Sequence, residues 1–158
     1  MIYHFKASNR RGEQFPLSQQ IKSFKFSTIM NKLINALFID VVKQTVTLIE
    51  IKNKFAEYYP LLECQTIEAI HLENGDMIYI DEEGLLSPKD GYFRLKGYPQ
   101  VYAGHGLVIG TRISKFDEND DASCLSTVQD ILNLITFLRP DEVSEDDIEP
   151  FMEFIPYN

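Results

Sequence analysis

The chain is predicted to fold as a single α+β domain, and three features of the sequence predict it. Short runs of β-branched and aromatic residues recur between Leu37 and Ile113. Only two segments carry helical spacing of apolar residues, Lys54 to about Glu63 and Thr127 to Leu138. Turn signals such as Asn74-Gly75 join neighbouring runs as hairpins. With 158 residues, 44% of them hydrophobic, the chain can bury one good core and is too short for two ordinary domains. The expected architecture is a mostly antiparallel or mixed sheet of about five to six strands with two main helices against it.

The elements follow in order. Leu37-Phe38-Ile39-Asp40-Val41-Val42 reads as a strand, Lys43-Gln44-Thr45 as a turn and Val46 to Ile51 as its hairpin partner. Asn53 is placed to cap a helix whose Phe55, Tyr58, Tyr59 and Leu62 form an apolar stripe. Pro60 removes an amide there and predicts a kink or break. Ile67–Leu72 and Met77–Ile80 flank Asn74-Gly75, which predicts a type I′ hairpin with positive φ at both central residues.

Gly84 is expected to supply positive φ after that strand. Tyr92–Leu95 reads as a short edge strand, and Pro99 bars Tyr98–Tyr102 from the middle of a sheet. Gly106–Ile113 reads as a central strand and Asp117–Asp121 as a loop. Ser126 and Gln129 are spaced as a capping box for a helix running to Leu138, where Pro140 stops it. The expected core is Phe38, Val46, Leu48, Phe55, Leu62, Ile67, Ile78, Ile80, Val108, Ile109, Ile131 and Leu132.

Charge divides the chain into three parts. Residues 1–29 carry five basic side chains against Glu13 alone and read as a basic, loosely ordered lead segment, with Met30 as an alternative start. Residues 30–139 form the α+β domain, and 140–158 an acidic-hydrophobic tail. From 117 onward there are twelve acidic residues and only Arg139 is basic, which repels nucleic acid and anionic membranes. No apolar run approaches the ~18 residues that cross a bilayer. The first residues lack an uninterrupted signal-peptide core, so a cytoplasmic location is expected.

Chemistry-bearing residues are sparse. Cys64 and Cys124 form no Cys-x-x-Cys pair and read as packed, reduced thiols. His71, Asp81, Glu82, Glu83 and His105 are the residues that could be grouped into a metal or acid–base site. Within that group Asp81, Glu83 and His105 are the candidate catalytic residues. Their spacing matches no metal motif, so the bland reading is a solvated turn, with His105 an exposed turn residue. Gly104-His105-Gly106 precedes a strand, not a helix, and so is not a phosphate cradle. There is no Gly-x-Ser-x-Gly elbow. No catalytic residue, cofactor or metal ligand is assigned. Phe151, Met152, Phe154 and Tyr157 lie between acidic residues and are the candidate interaction residues.

Three segments carry a resemblance: Tyr58–Glu68, Asp81-Glu82-Glu83-Gly84-Leu85-Leu86, and Tyr102-Ala103-Gly104-His105-Gly106-Leu107-Val108-Ile109-Gly110. Over about Asn35 to Gly110 the chain resembles a family of small bacterial proteins, domain of unknown function thirty-eight forty-six. The resemblance implies a setting in phages, plasmids and conjugative elements, and it transfers no catalytic residue. Pro60 departs from the family pattern, and residues 1–29 and the tail lie outside it. The leading expectation is a non-enzymatic accessory or interaction protein of a bacterial mobile element that binds a protein partner, with direct nucleic-acid binding not expected. The alternatives are an acidic nucleic-acid mimic that occupies a basic cleft, and a small metal-dependent hydrolase using Asp81, Glu83 and His105.

Overall fold

The computed structural model describes residues 32–113 and 119–148. Within them the strands are β1 (Leu33–Asp40), β2 (Thr45–Lys52), β3 (Ile67–His71), β4 (Met77–Asp81), β5 (Tyr92–Leu95), β6 (Val101–Ala103), β7 (Gly106–Ile113), β8 (Asn119–Ala122) and β9 (Ile135–Leu138). The helices are α1 (Phe55–Leu62), α2 (Val128–Leu134) and α3 (Glu145–Ile148). The fold is α+β. Its larger sheet has the order β2-β1-β7-β4-β3, with β8 pairing the second half of β7, and a smaller sheet has the order β6-β5-β9. Every pairing is antiparallel.

The larger sheet is covered on both faces. Ile34, Ala36, Met77, Tyr79, Leu107 and Ile109 point to α1 and pack with its Tyr58 and Leu62. The alternating residues Leu37, Ile39, Ile78, Ile80 and Val108 point the other way, onto Phe93, Leu95 and Tyr102 of the smaller sheet and Ile131 and Ile135. Two buried faces explain why β4 and β7 read as unbroken apolar runs with no polar alternation. Full burial of a side chain such as Leu62 contributes roughly 1.5–3 kcal/mol.

The structure corrects several expectations. β1 ends at Asp40 because the Asp40 carboxylate accepts the amides of Val42 (3.1 Å) and Lys43 (3.0 Å) and turns the chain at Val41. α1 carries Pro60 without a break, and Lys54, with no side-chain capping bond, opens it in place of Asn53. The 72–76 hairpin has positive φ only at Gly75 (91°), and the Gly75 amide donates to the Leu72 carbonyl. It is a three-residue loop built on an ordinary turn, not a type I′ turn. Gly84 has no positive φ; a Cβ there would sit 2.8 Å from the Ala103 carbonyl oxygen, so close backbone approach demands the glycine.

β5 is the middle strand of the smaller sheet, with Phe93 fully buried, and not an edge. Asn119–Ala122 is a strand, not a loop. The second helix stops at Leu134, and Ile135–Leu138 continues as β9 along β5. Helical spacing ran through this segment, but Ile135, Thr136 and Phe137 suit a strand, and β5 offers an open ladder to pair with. Thr127 and Asp130, not Ser126 and Gln129, make the capping box. Of the expected core, Leu48, Phe55 and Leu132 are exposed, at 63%, 51% and 39%.

The start of the tail is docked. Val143 packs with Leu85 and Leu138 against Tyr92 and Val101, and Arg94 forms an ion pair with Asp147 of α3. Phe151, Met152, Phe154 and Tyr157 lie outside the described residues, as does the 1–29 segment.

Candidate functional site

Asp81 ends β4 with its side chain buried. Its Oδ2 is 2.9 Å from the Lys89 Nζ and its Oδ1 accepts the Glu83 amide at 3.0 Å. Glu83 has left the strand, and its side chain is exposed. The two carboxylates therefore do not share a strand face: one is neutralised in an ion pair and the other is solvated. His105 precedes β7 and is half-buried, not an exposed turn residue. Its Nδ1 accepts the Val41 amide at 3.3 Å, and its ring lies 5.1 Å from that of Phe38. The Asp40 carboxylate comes within 3.8 Å of the same nitrogen, which is already occupied as an acceptor. His105 and Lys89 share the wall of a hollow of about 90 Å³ with Val41, Glu63 and Asp90.

Among the described residues, no group of three or more His, Cys, Asp or Glu side chains is placed to hold a metal ion. Burial, reinforced by Asp81 at Cys64 and by Asp76 at Cys124, pushes both thiols above the ordinary value.

Asp76, which is buried, and Asp121, which is partly buried, escaped the sequence reading, and both are structural. Asp76 is fully buried, and its carboxylate accepts the amides of Leu125 (2.9 Å) and Ser126 (2.8 Å) and the Ser126 hydroxyl. It ties the entry of α2 to the β3–β4 hairpin. Asp121 on β8 accepts the hydroxyls of Tyr58 (3.1 Å) and Tyr79 (2.9 Å), while Asn53 donates to the Asp121 carbonyl (2.9 Å). That network joins α1, β4 and β8. Burial first, and the Asp121 charge second, raise both phenols well above the ordinary tyrosine value. No motif marked either carboxylate, because each finds most of its partners across the fold.

Two surface features stand out. A cleft of about 380 Å³ opens between the β3–β4 hairpin, the turn after β5 and one side of α2. The second feature is the outer edge of β2. The Asn53 amide donates to the Lys32 carbonyl, across the β1–β2 ladder. Backbone groups alternate along a strand, so the odd-numbered residues of β2 bond to β1 and Val46, Leu48 and Glu50 turn theirs outward. The far side of β1 obeys the same parity, since the Asn35 amide and carbonyl meet Ser123 and Cys124. Among the described residues no strand pairs with this outer edge.

A small two-sheet α+β domain with hydrogen-bonded internal carboxylates and, among the described residues, an edge strand that no other strand pairs is the class that these observations define. The family model described as Domain of unknown function (DUF3846) matches residues 34–132, from β1 into α2, and the chain belongs to that family. The match reaches beyond the Asn35–Gly110 span to include Asp121 and Ser126. No curated protein and no solved structure matched the chain.

Proposed function

We propose that the protein is a non-enzymatic interaction protein that accepts an extended segment of a partner protein as an added strand along β2. The observation that carries this reading is the outer edge of β2: eight residues long, with the backbone groups of Val46, Leu48 and Glu50 turned outward and Leu48 63% exposed beside them. An edge of this length is a ready template for another chain, and main-chain hydrogen bonds supply affinity there with little demand on side chains. The resemblance to small phage and plasmid proteins supports an accessory role in a bacterial mobile element. The two free thiols suit a reducing cytoplasm.

The test is affinity capture from a bacterial extract with the full chain and its Leu48→Pro variant. Proline at 48 deletes an outward amide and leaves the β1 ladder whole. The reading expects a partner that the parent captures, that survives about 0.5 M salt, where exposed charges are screened, and that the folded variant loses. Equal capture by parent and variant would refute it. Capture lost in salt but indifferent to proline would point to the acidic nucleic-acid mimic instead.

A further inference from the structure

We propose that residues 22–26 of a second copy of this chain add to the β2 edge as an antiparallel strand, each copy lending its segment to the other. The inference rests on the β2-edge reading and names an occupant that a foreign segment would have to displace. The surroundings of the edge set what fits there. Val46, Leu48 and Glu50 point to the face on which α2 packs beside β2, with Val46, Val128 and Ile131 in one core. Asp130 and Leu134 of α2 border the β3–β4 hairpin. Helical residues turn by about 100° each, so Leu132 lies on the opposite side, toward the β2 end of the sheet. Leu132 and Leu48, 39% and 63% exposed, thus flank the edge with apolar surface. Glu50 follows on the same face, exposed and in no ion pair among the described residues. At the far edge of the sheet the Tyr98 hydroxyl already takes the outward His71 carbonyl of β3, at 3.2 Å.

In an antiparallel pair, side chains directly opposite share a face with Cβ atoms about 5 Å apart. The added strand therefore needs a basic residue opposite Glu50, then apolar residues two and four positions on, opposite Leu48 and Val46. Within residues 1–31, Lys22-Ser23-Phe24-Lys25-Phe26 is the one stretch of that pattern. Residues 1–29 carry net charge +4 in a chain of net charge −9, so long-range attraction has the same sign. Lys25 then falls on the other face beside the exposed Thr47, where its charge stays in water. Reach decides which copy supplies the segment. The Lys32 carbonyl accepts the Asn53 amide, which fixes where residue 32 stands. Phe26 opposite Val46 would lie about 25 Å from it, seven residues along the strand and two strand spacings across. Six residues span at most about 22 Å, so the segment comes from another molecule. A parallel strand from the same molecule would place Lys22 toward Thr45, away from Glu50. Reciprocal exchange closes the pair as a two-fold dimer.

The experiment is size-exclusion chromatography with light scattering on the full chain at about 0.1 mM and low salt. A dimer is expected. Lys22→Glu and Glu50→Lys should each weaken it by about ten- to thirty-fold, since each removes two ion pairs and sets two pairs of like charges opposite one another. The double variant Lys22→Glu with Glu50→Lys should recover the dimer, which misfolding or a general change of charge would not produce. A monomeric parent, charge reversals without effect, or a double variant no better than the single ones would overturn the proposal. So would a dimer that survives Leu48→Pro. A monomeric parent whose extract partner is still lost on Leu48→Pro would sink the exchange and leave the β2-edge reading standing.

Discussion

At the scale of single residues, the buried polar groups are the points of greatest leverage. The Asp121 carboxylate takes two phenol hydroxyls that have left water, yet the two differ in their reserves. Tyr58 has a second acceptor in Asn53 Oδ1 at 3.1 Å, whereas among the described residues the Tyr79 hydroxyl has Asp121 alone. Asp121→Ala therefore strands Tyr79. The expected loss is about 1–3 kcal/mol in urea denaturation, the cost of a buried unsatisfied hydroxyl. Adding Tyr79→Phe to that variant should recover part of it, because the stranded group is then gone. A double variant less stable than Asp121→Ala would show that the hydroxyl is not what suffers.

At the scale of elements, the parity of β2 makes a sharp comparison between neighbours. The Ile49 amide belongs to the β1 ladder and the Leu48 amide to the outer edge. Proline at 48 should change stability by no more than about 1 kcal/mol. Proline at 49 removes an internal ladder bond and clashes with β1, and should cost more than about 2 kcal/mol. Thermal unfolding of the two variants decides the matter, and similar losses would mean that the two amides do not face opposite ways. The α2–β9 junction makes a second point at this scale. A continuous helical stripe in sequence was divided by tertiary pairing, since Ile135 serves the core as well from a strand as it would from a helix.

For the whole molecule, the titrating groups set a stability plateau. At Asp40 burial disfavours the charged form, but the Lys43 amide, the neighbouring His105 and Lys43 side chains and the Val42 amide together outweigh it and hold the carboxyl below its ordinary value. Asp130 and Asp147 are also lowered, by hydrogen bonds from Thr127 and Ser144. A lowered carboxyl pKa stabilises the fold above the unfolded value, and that stability goes as pH falls below about 4. The phenols behave oppositely. Tyr58 and Tyr79 are raised by burial, and Tyr102 is pushed up to about 12, by burial first. The unfolded chain ionises its tyrosines near pH 10, so the stability they hold is complete below that value and falls above it. Melting temperature followed across pH should thus be flat in between and drop at both ends. Asp40→Asn should soften the acid limb and Tyr79→Phe the alkaline limb. An alkaline limb unchanged by Tyr79→Phe would remove Tyr79 from this account.

What the sequence determined by itself was local. Period-two and period-3.6 patterns, glycine, proline and turn chemistry placed β1, β2, β4, β7 and α1 close to where they stand, and the antiparallel α+β class followed from short strands joined by tight turns. Tertiary structure alone decided the rest. Asp76 and Ser126 are fifty residues apart in sequence, and Asp121 and Tyr58 sixty-three. β5 became a central strand only when β9 arrived from beyond α2. Leu48 and Val46 share a strand face and the same apolar character, yet Val46 is 7% exposed and Leu48 63%. The physical reason is common to all of these. Periodicity records which way a side chain points, while burial, polar partners and open edges depend on which other segment arrives to cover that face.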